Sequence, residues 1–211
     1  SGWIILSGFV TNYYDELTLE NIEINFINDN SQKFITKSEV NSMLLLMGIV
    51  NNVSLKKEIQ LASIEKKLLN HSAIRNAQVY FNNNGGLKVD ITKRTPIARF
   101  VSSVFEKNFY MDLRGFLMPI SKTYVSRVPI FSGEINFPER LDLNILDSLH
   151  STPIFQEIYK MSKLINNDTF LKSQIVQIHI NNNSYFELIP RIGNQRILFG
   201  SSENMENKFK K

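Results

Sequence analysis

The stretch from Leu61 to Arg99 constrains the fold more than any other part of the sequence, because its segments predict elements that need one another. Leu61, Ile64 and Leu68 recur at helical spacing with charged residues between them, which is typical of an amphipathic helix. Two runs of alternating apolar and polar residues follow, and Asn84-Gly85-Gly86 between them predicts an antiparallel hairpin. The apolar stripe of the helix needs a surface to cover, and the hairpin supplies one.

Two further elements are predicted before this stretch. Apolar and polar residues alternate from Ile22 to Phe26, which indicates a half-buried strand. Thr36 and Glu39 have the spacing of a capping box, so they predict the start of a second helix. The order strand, helix, helix, strand, strand predicts a unit in which three strands lie under two helices.

The character of the sequence changes after Pro96, where short strand patterns dominate. Thr152-Pro153 has the composition of a helix start, and Ser201-Ser202-Glu203 is expected to open a last helix. Strands are expected at 109–111, 116–118, 127–131, 176–180, 185–189 and 195–199. The sequence therefore predicts an α+β chain of two domains, the second mostly antiparallel β with one or two helices.

Composition excludes several classes of protein. The hydrophobic content of 43% and the charged content of 21% are those of a globular protein. The net charge of +4 comes from scattered Lys and Arg residues without a dense basic run, so no nucleic-acid partner is expected. The absence of cysteine removes disulfides, thiolate nucleophiles and cysteine-based zinc sites.

Residues that could carry catalysis are sparse and separated. His71, His150 and His179 are far apart in the sequence, and none has metal-ligand spacing to another histidine or a carboxylate. Asp112 and Glu134 could form a carboxylate pair, but turn and solvent roles explain them more simply. We therefore expect no enzyme activity, no cofactor, no metal and no small-molecule substrate.

Two features bear on a membrane. Residues 2–10 are apolar but too short to cross a bilayer, and they are either an edge strand or cloning remnant, or the outer end of a transmembrane helix. Lys88, Lys93, Arg94 and Arg99 are expected on the solvent side or end of one strand. That cluster is either a solvated face or a contact for anionic lipid headgroups.

Four short motifs, in their order and spacing, carry a further signal. They are Ile74-x-x-Ala77-x-Val79, Thr92-x-x-x-Pro96-Ile97-Ala98, Tyr110-Met111-Asp112-x-x-Gly115 and Val128-Pro129-Ile130-Phe131-Ser132-Gly133. With the elements around them they resemble the FtsQ/DivIB family of bacterial cell-division proteins, whose POTRA domain is followed by a β domain. The resemblance runs from about Thr18 to the end of the chain.

The resemblance implies a non-enzymatic scaffold of the divisome. It implies the membrane-proximal end of a transmembrane helix over residues 1–17, a POTRA domain over 18–96, and a C-terminally truncated β domain over 97–211. The protein would be a single-pass protein of the cell inner membrane with these domains in the periplasm. Its expected partners are FtsB/DivIC-like and FtsL-like division proteins, which bind by strand addition, chiefly to the β domain.

The last predicted strand is the expected docking place, because no later strand in the sequence can cover its outer side. The residues expected to bind the partner are Gln195, Arg196, Ile197, Leu198 and Phe199. The native chain is expected to continue past Lys211 and to add a strand there, which the partner then extends.

Two other functions remain open at this point. A POTRA-containing component of outer-membrane protein assembly or secretion would show repeated POTRA units or a barrel pattern, and neither is evident in the sequence. A secreted hydrolase would bring titratable residues together in one deep pocket.

Overall fold

The structure is a computed structural model that describes residues 17–27, 34–101, 108–121, 124–136, 144–147 and 151–210. The chain divides into two compact units, Ser1–Arg94 and Thr95–Lys211. The expectations for residues 1–16, His150 and Lys211 lie outside the described residues.

The first unit is a three-stranded sheet with two helices. Its elements are β1 (Ile22–Phe26), α1 (Lys37–Leu46), a short 3-10 helix (Lys56–Glu58), α2 (Leu61–Leu69), β2 (Ile74–Phe81) and β3 (Leu87–Lys93). The strand order is β1-β3-β2, with β1 parallel to β3 and β2 antiparallel to it. This confirms the predicted β-α-α-β-β unit.

Local sequence explains how α1 begins. The backbone N–H of Glu39 donates to Thr36 Oγ1 at 3.2 Å, and the backbone N–H of Thr36 donates to Glu39 Oε2 at 2.7 Å, so the capping box is complete. Val40 and Leu44, one helical turn apart, are the buried residues of this helix. The capping box and the spacing of the apolar residues therefore both favour a helix over this segment.

The α2 helix packs as its stripe predicts. Ile64 and Leu68 are buried, and α2 contacts β2. The hairpin beside it turns at Gly85, which has a positive φ of 76°. Asn82 stabilises this turn, because its side-chain oxygen accepts from the backbone N–H groups of Asn84 and Gly86. This role of Asn82 was not predicted.

The second unit is a seven-stranded mixed sheet with helices. Its elements are β4 (Pro96–Val101), β5 (Asn108–Asp112), β6 (Leu117–Pro119), β7 (Ile130–Gly133), α3 (Pro153–Asn167), α4 (Thr169–Gln174), β8 (Ile175–Ile180), β9 (Phe186–Pro190), β10 (Ile197–Gly200) and α5 (Met205–Phe209). The strand order is β10-β9-β8-β7-β4-β5-β6. The fold is therefore α+β, as predicted.

The large sheet consists of two antiparallel meanders joined by one short strand. Strands β4, β5 and β6 form one meander, and β8, β9 and β10 form the other. Between them β7 pairs in parallel with both β4 and β8. Most neighbouring pairs are antiparallel, as expected, and the two parallel pairs were not predicted.

The core of the second unit centres on Phe100 in β4. Its ring centroid lies 5.1 Å from that of Phe109, 5.9 Å from that of Phe131 and 6.4 Å from that of Phe155. These four rings come from β4, β5, β7 and α3, so the joining strand and the long helix meet at one aromatic cluster.

Several predicted boundaries were wrong. The strand predicted at Arg127 begins at Ile130, because Pro129 has no N–H to add to the ladder. The last helix begins at Met205 rather than Ser201, because Asn204 at its N-terminus has a left-handed φ of 53°. The α4 helix was not predicted; Asp168 caps it by accepting from the backbone N–H of Leu171 at 3.0 Å.

One predicted surface cluster was also wrong. Lys93 is only 6% exposed, and its ammonium lies 4.5 Å from the ring centroid of Phe26. Arg99 is partly buried and belongs to β4 in the second unit, not to the strand of Lys88. The four basic residues therefore do not form one solvated strand face.

Candidate partner-binding edge

Each sheet ends in strands whose outer N–H and C=O groups have no strand to pair with. In the described part of the chain these are β1 and β2 in the small sheet and β10 and β6 in the large one. An unpaired edge is where an extended segment of another protein can add, unless side chains or neighbouring segments protect it.

Three of these edges carry some protection. The backbone N–H of Val79 in β2 donates to Glu65 Oε1 at 2.8 Å, so a side chain of α2 occupies that edge. The β1 edge carries a charge, Glu23, whose side chain bonds that of Asn25 at 3.1 Å. The β6 strand has three residues, ends at Pro119, and is preceded by a bridge from Phe116 to Asn144.

The β10 edge is different, because it presents apolar side chains to solvent. Leu198 is 81% exposed and Ile197 is 47% exposed, whereas Phe199 is 9% exposed. Exposed aliphatic residues on an edge strand favour association with another chain. Of the predicted partner-binding residues, Ile197, Leu198 and Phe199 lie in β10, and Gln195 and Arg196 lie in the segment before it.

Arg196 forms an ion pair with the neighbouring strand. Its Nη1 lies 3.4 Å from Glu187 Oε2 in β9, with the Arg196 side chain 64% exposed and that of Glu187 18% exposed. An exposed pair of this kind contributes little to stability. It aligns the segment before β10 with β9 and leaves the outer side of that segment accessible.

The far end of β10 is held by α5. Lys208 Nζ donates to the carbonyl oxygens of Phe199 at 3.2 Å and Ser201 at 2.9 Å. The ammonium also lies 5.1 Å from the ring centroid of Phe199, and the ring of Phe209 lies 4.8 Å from that of Phe199. Lys208 therefore occupies two carbonyl oxygens at and just after the end of β10.

A groove of about 600 Å³ runs between α3 and α5. Its walls combine lysine, asparagine and apolar side chains. They include Tyr159, Lys160, Lys163, Leu164, Met205 and Glu206. Because α5 also contacts β10 through Lys208 and Phe209, the groove and the exposed edge share one helix.

Sequence reasoning missed Lys208 and the groove. A lysine in the last turn of a helix commonly interacts with carbonyl oxygens, and that preference is the one signal that pointed to Lys208. Which carbonyls it reaches depends on how α5 folds back, and that is a tertiary property.

The histidines do not form a catalytic group among the described residues. Burial lowers the pKa of His71 below its ordinary value of 6.5, and the charge of Glu39 opposes that shift. His179 Nδ1 lies 3.5 Å from Ser132 Oγ, but Gln177 Nε2 also donates to that oxygen at 2.9 Å. In the residues that the structure describes, no carboxylate contact orients His179 as a general base would require.

Asp112 is a turn residue, as the sequence suggested. It is 1% exposed, and its Oδ1 accepts from the backbone N–H groups of Arg114 at 2.8 Å and Phe116 at 2.9 Å. Glu134 is exposed and reaches β8 through its backbone N–H, which donates to the carbonyl of Ile180. Each residue thus has a structural role.

The described ranges contain no group of three or more His, Cys, Asp or Glu residues placed to hold a metal ion. No helix in those ranges is long and apolar enough to cross a membrane.

Comparison with known proteins adds family information to this geometry. Residues 95–211 match the family model described as "FtsQ/DivIB, C-terminal related", and residues 19–92 match the model of a POTRA-like domain. No curated protein matches the chain. The matched regions correspond to the large mixed sheet and the small three-stranded sheet.

Proposed function

Because the chain belongs to the FtsQ/DivIB, C-terminal related family, we propose that it is a non-enzymatic scaffold of bacterial cell division. It links division proteins at the septum by binding them through its second unit. The family is related to FtsQ/DivIB and is not FtsQ itself. The observation that carries the proposal is the exposed apolar edge at β10, within the unit that the family model matches.

The proposal includes a location and a class of partner. Both units lie in the periplasm, attached to the inner membrane by a single transmembrane helix before the POTRA-like unit. The partners are FtsB/DivIC-like and FtsL-like proteins with extended segments. The match of residues 95–211 to an FtsQ/DivIB-related family supports a protein partner. The location and the class of partner extend the resemblance of the motifs to the FtsQ/DivIB family.

Binding proceeds by strand addition at β10. The partner's main chain pairs with the outer side of β10, and its apolar side chains cover Leu198 and Ile197. Lys208 already occupies the carbonyls of Phe199 and Ser201, so the partner strand pairs with residues from Gln195 to Leu198 and ends there. Lys208 in this way sets the register of the added strand.

Component proteins of outer-membrane assembly or secretion also carry POTRA units. That function accounts for the match over residues 19–92 but leaves the match over residues 95–211 without an explanation. The cell-division scaffold accounts for both.

Calorimetry with the extracytoplasmic segment of the FtsB/DivIC-like protein from the same organism tests the proposal. Leu198→Glu places a charge on the edge and should weaken binding at least about tenfold, the loss expected when an anchor side chain is removed from an interface. Leu46→Glu is the matched control, because Leu46 is 88% exposed but belongs to the first unit.

Hydrogen exchange separates strand addition from side-chain contact alone. On partner binding, amides between Gln195 and Leu198 should become protected, because outward N–H groups gain acceptors. Equal affinity of the Leu198→Glu and wild-type proteins, or unchanged exchange at β10 in a saturated complex, would place the partner elsewhere.

A further inference from the structure

A second pocket, of about 200 Å³, lies in the large sheet and is unrelated to β10. It is found where β7 and β8 begin, because Ile130 and Ile175 line it. Its basic residues come from four places: β4, the segment before β7, the helix α4 and the end of β9. They are Arg99, Arg127, Lys172 and Arg191.

The charge of this pocket is uniform. Among the described residues that line it there is no Asp or Glu, and the others are Ser126 and aliphatic side chains. Arg99 is partly buried, whereas Arg127, Lys172 and Arg191 are exposed, so water screens much of the repulsion between them. Four cations around one small volume still attract an anion, and a bound anion reduces the repulsion that remains.

Two buried polar atoms in the pocket lack a hydrogen-bond partner in the described part of the chain. They are Arg99 Nε and Ser126 Oγ, and Ser126 is only 5% exposed. Buried donors in folded proteins nearly always have acceptors, so two orphans in one basic pocket point to a ligand that supplies the acceptors.

The main chain that carries the two orphan side chains is held in place. The N–H of Arg99 donates to the carbonyl of Pro129 at 2.9 Å, and the N–H of Ser126 donates to Tyr110 Oη at 3.1 Å. Tyr110 is fully buried. The backbone on this side of the pocket is therefore ordered before any ligand binds, which lowers the entropic cost of binding.

Two of the other three cations, Lys172 and Arg191, make hydrogen bonds of their own. Arg191 Nε donates to the carbonyl of Ser173 at 2.7 Å, and Lys172 Nζ donates to Asn166 Oδ1 at 3.0 Å. Both side chains retain further N–H donors, because a guanidinium has five and an ammonium has three.

We propose that this pocket binds a phosphate group. A phosphate offers more acceptor oxygens than a carboxylate, so it can bond Arg99, Ser126 and the surrounding cations together. It also carries enough negative charge to offset several of those cations. The group comes either from a free phosphate or from the headgroup of an anionic lipid whose apolar part contacts Val125, which is 61% exposed.

Titration of the 211-residue chain with inorganic phosphate, followed by amide chemical shifts, tests the pocket. The amides of Ser126, Arg127 and Lys172 should move together and saturate. Arg127→Gln should weaken phosphate binding about tenfold, as expected when one charge-assisted hydrogen bond is lost. Arg127 is exposed, so this variant should fold even if Arg99→Gln does not.

Controls distinguish a site from general attraction of anions. Arg75→Gln removes the same charge from an exposed position of β2 and should bind phosphate as the wild type does. Acetate at equal ionic strength should bind at least about tenfold more weakly, because it has fewer acceptor oxygens. Equal weakening by Arg75→Gln and Arg127→Gln, or equal binding of acetate and phosphate, would overturn the proposal.

Vesicles identify the source of the phosphate group. Sedimentation with phosphatidylglycerol vesicles but not with phosphatidylcholine vesicles, reduced by Arg127→Gln and by added phosphate, would identify a lipid headgroup. Saturable binding of inorganic phosphate without sedimentation would identify a free phosphate. Tighter binding of a Glu-containing peptide than of phosphate would overturn the assignment in favour of an acidic protein segment.

Discussion

Two adjacent leucines in α2 show how burial decides the role of a residue. Leu68 is fully buried and Leu69 is 43% exposed. We expect Leu68→Ala to lower the free energy of unfolding by about 2–5 kcal/mol, because it leaves a cavity between α2 and the sheet. Leu69→Ala should lower it by less than about 1 kcal/mol. Urea unfolding of both variants measures the difference, and an unchanged midpoint for Leu68→Ala would contradict the packing.

His71 should make stability depend on pH. Burial holds the pKa of His71 below 6.5 in the folded state. As the pH falls below 6.5, the unfolded chain therefore becomes protonated at His71 before the folded chain does, which favours unfolding. Its Nδ1 also accepts from the backbone N–H of Ala73 at 3.3 Å, which a protonated ring cannot do. The contribution of His71 to stability is therefore complete above pH 6.5 and falls as the pH drops below it.

Comparison with His71→Gln isolates this effect. The unfolding free energy of the wild type minus that of the variant should decrease from pH 7.5 to pH 5.5. The other titrating groups are the same in both proteins, so their contributions cancel in this difference. A difference that favours the wild type more strongly at low pH would mean that the attraction of Glu39 outweighs burial.

Residue roles were predictable where the partners are close in sequence. The capping box of Thr36 and Glu39 and the turn at Asp112 each span a few residues, so spacing reveals them. Two other contacts depend on the tertiary fold: the ammonium of Lys93 lies over the ring of Phe26, and that of Lys208 lies over the ring of Phe199. Lysine is expected at surfaces, and composition carries no signal that a particular one will cover an aromatic ring.

Among the elements, β7 contains a glycine at which a side chain would meet the backbone of the neighbouring strand. Gly133 has a positive φ of 102°, and a Cβ there would collide with the carbonyl oxygen of Ile180. That oxygen accepts the backbone N–H of Glu134, so the collision would also disturb the β7–β8 pairing. We expect Gly133→Ala to lower the free energy of unfolding by about 3 kcal/mol, from backbone strain and overpacking combined.

Gly48→Ala is a matched control for Gly133→Ala. Gly48 also has a positive φ, of 80°, but a Cβ there meets nothing within 4 Å. Gly48→Ala should lower the free energy of unfolding by only about 1 kcal/mol, from backbone strain alone. Equal losses for the two alanine variants, measured by denaturant unfolding, would show that the close approach to Ile180 does not matter.

The elements were predictable to the extent that their patterns are local. Helix-start signals identified α1 and α3, and periodicity identified α2 and the strand patterns of β8, β9 and β10, because each signal lies within one segment. The pairing of β7 with β4 and β8 joins strands far apart in sequence. A four-residue strand has too few positions to specify which neighbours it pairs with.

At the scale of the whole molecule, the second unit contains everything that the proposed binding needs. Its core cluster runs from Ile97 to Met205, and the edge at β10 and the groove beside α5 both belong to it. We expect a fragment from Thr95 to Lys211 to unfold cooperatively and to bind the partner segment within about twofold of the full chain, since every residue of the proposed binding edge belongs to this unit.

A fragment of residues 17–94 is the complementary control and should not bind that segment. A folded Thr95–Lys211 fragment that fails to bind would move the partner site to the POTRA-like unit. Circular dichroism of each fragment verifies folding before affinity is measured.

The whole-molecule architecture was predictable and the binding chemistry only partly so. The order of the motifs and the order of the elements indicated a POTRA-like unit followed by a β-rich unit, and family models match at both places. Both orders can be read directly from the sequence. The basic pocket joins Arg99 to Arg191 across the sheet, and no spacing between them reveals it. Strand addition also leaves few marks in a sequence, because it uses backbone atoms that every residue has.

The position of β7 between two meanders has a consequence for the order of folding. Each meander closes short loops and can form early, whereas β7 must find β4 and β8 across long separations in the chain. The transition state should therefore be the docking of two preformed halves around Phe131, which is fully buried at their junction. Before that step, β4 in one half and β8 in the other each have an unpaired edge. The partly folded protein is therefore most prone to aggregate before the two halves dock.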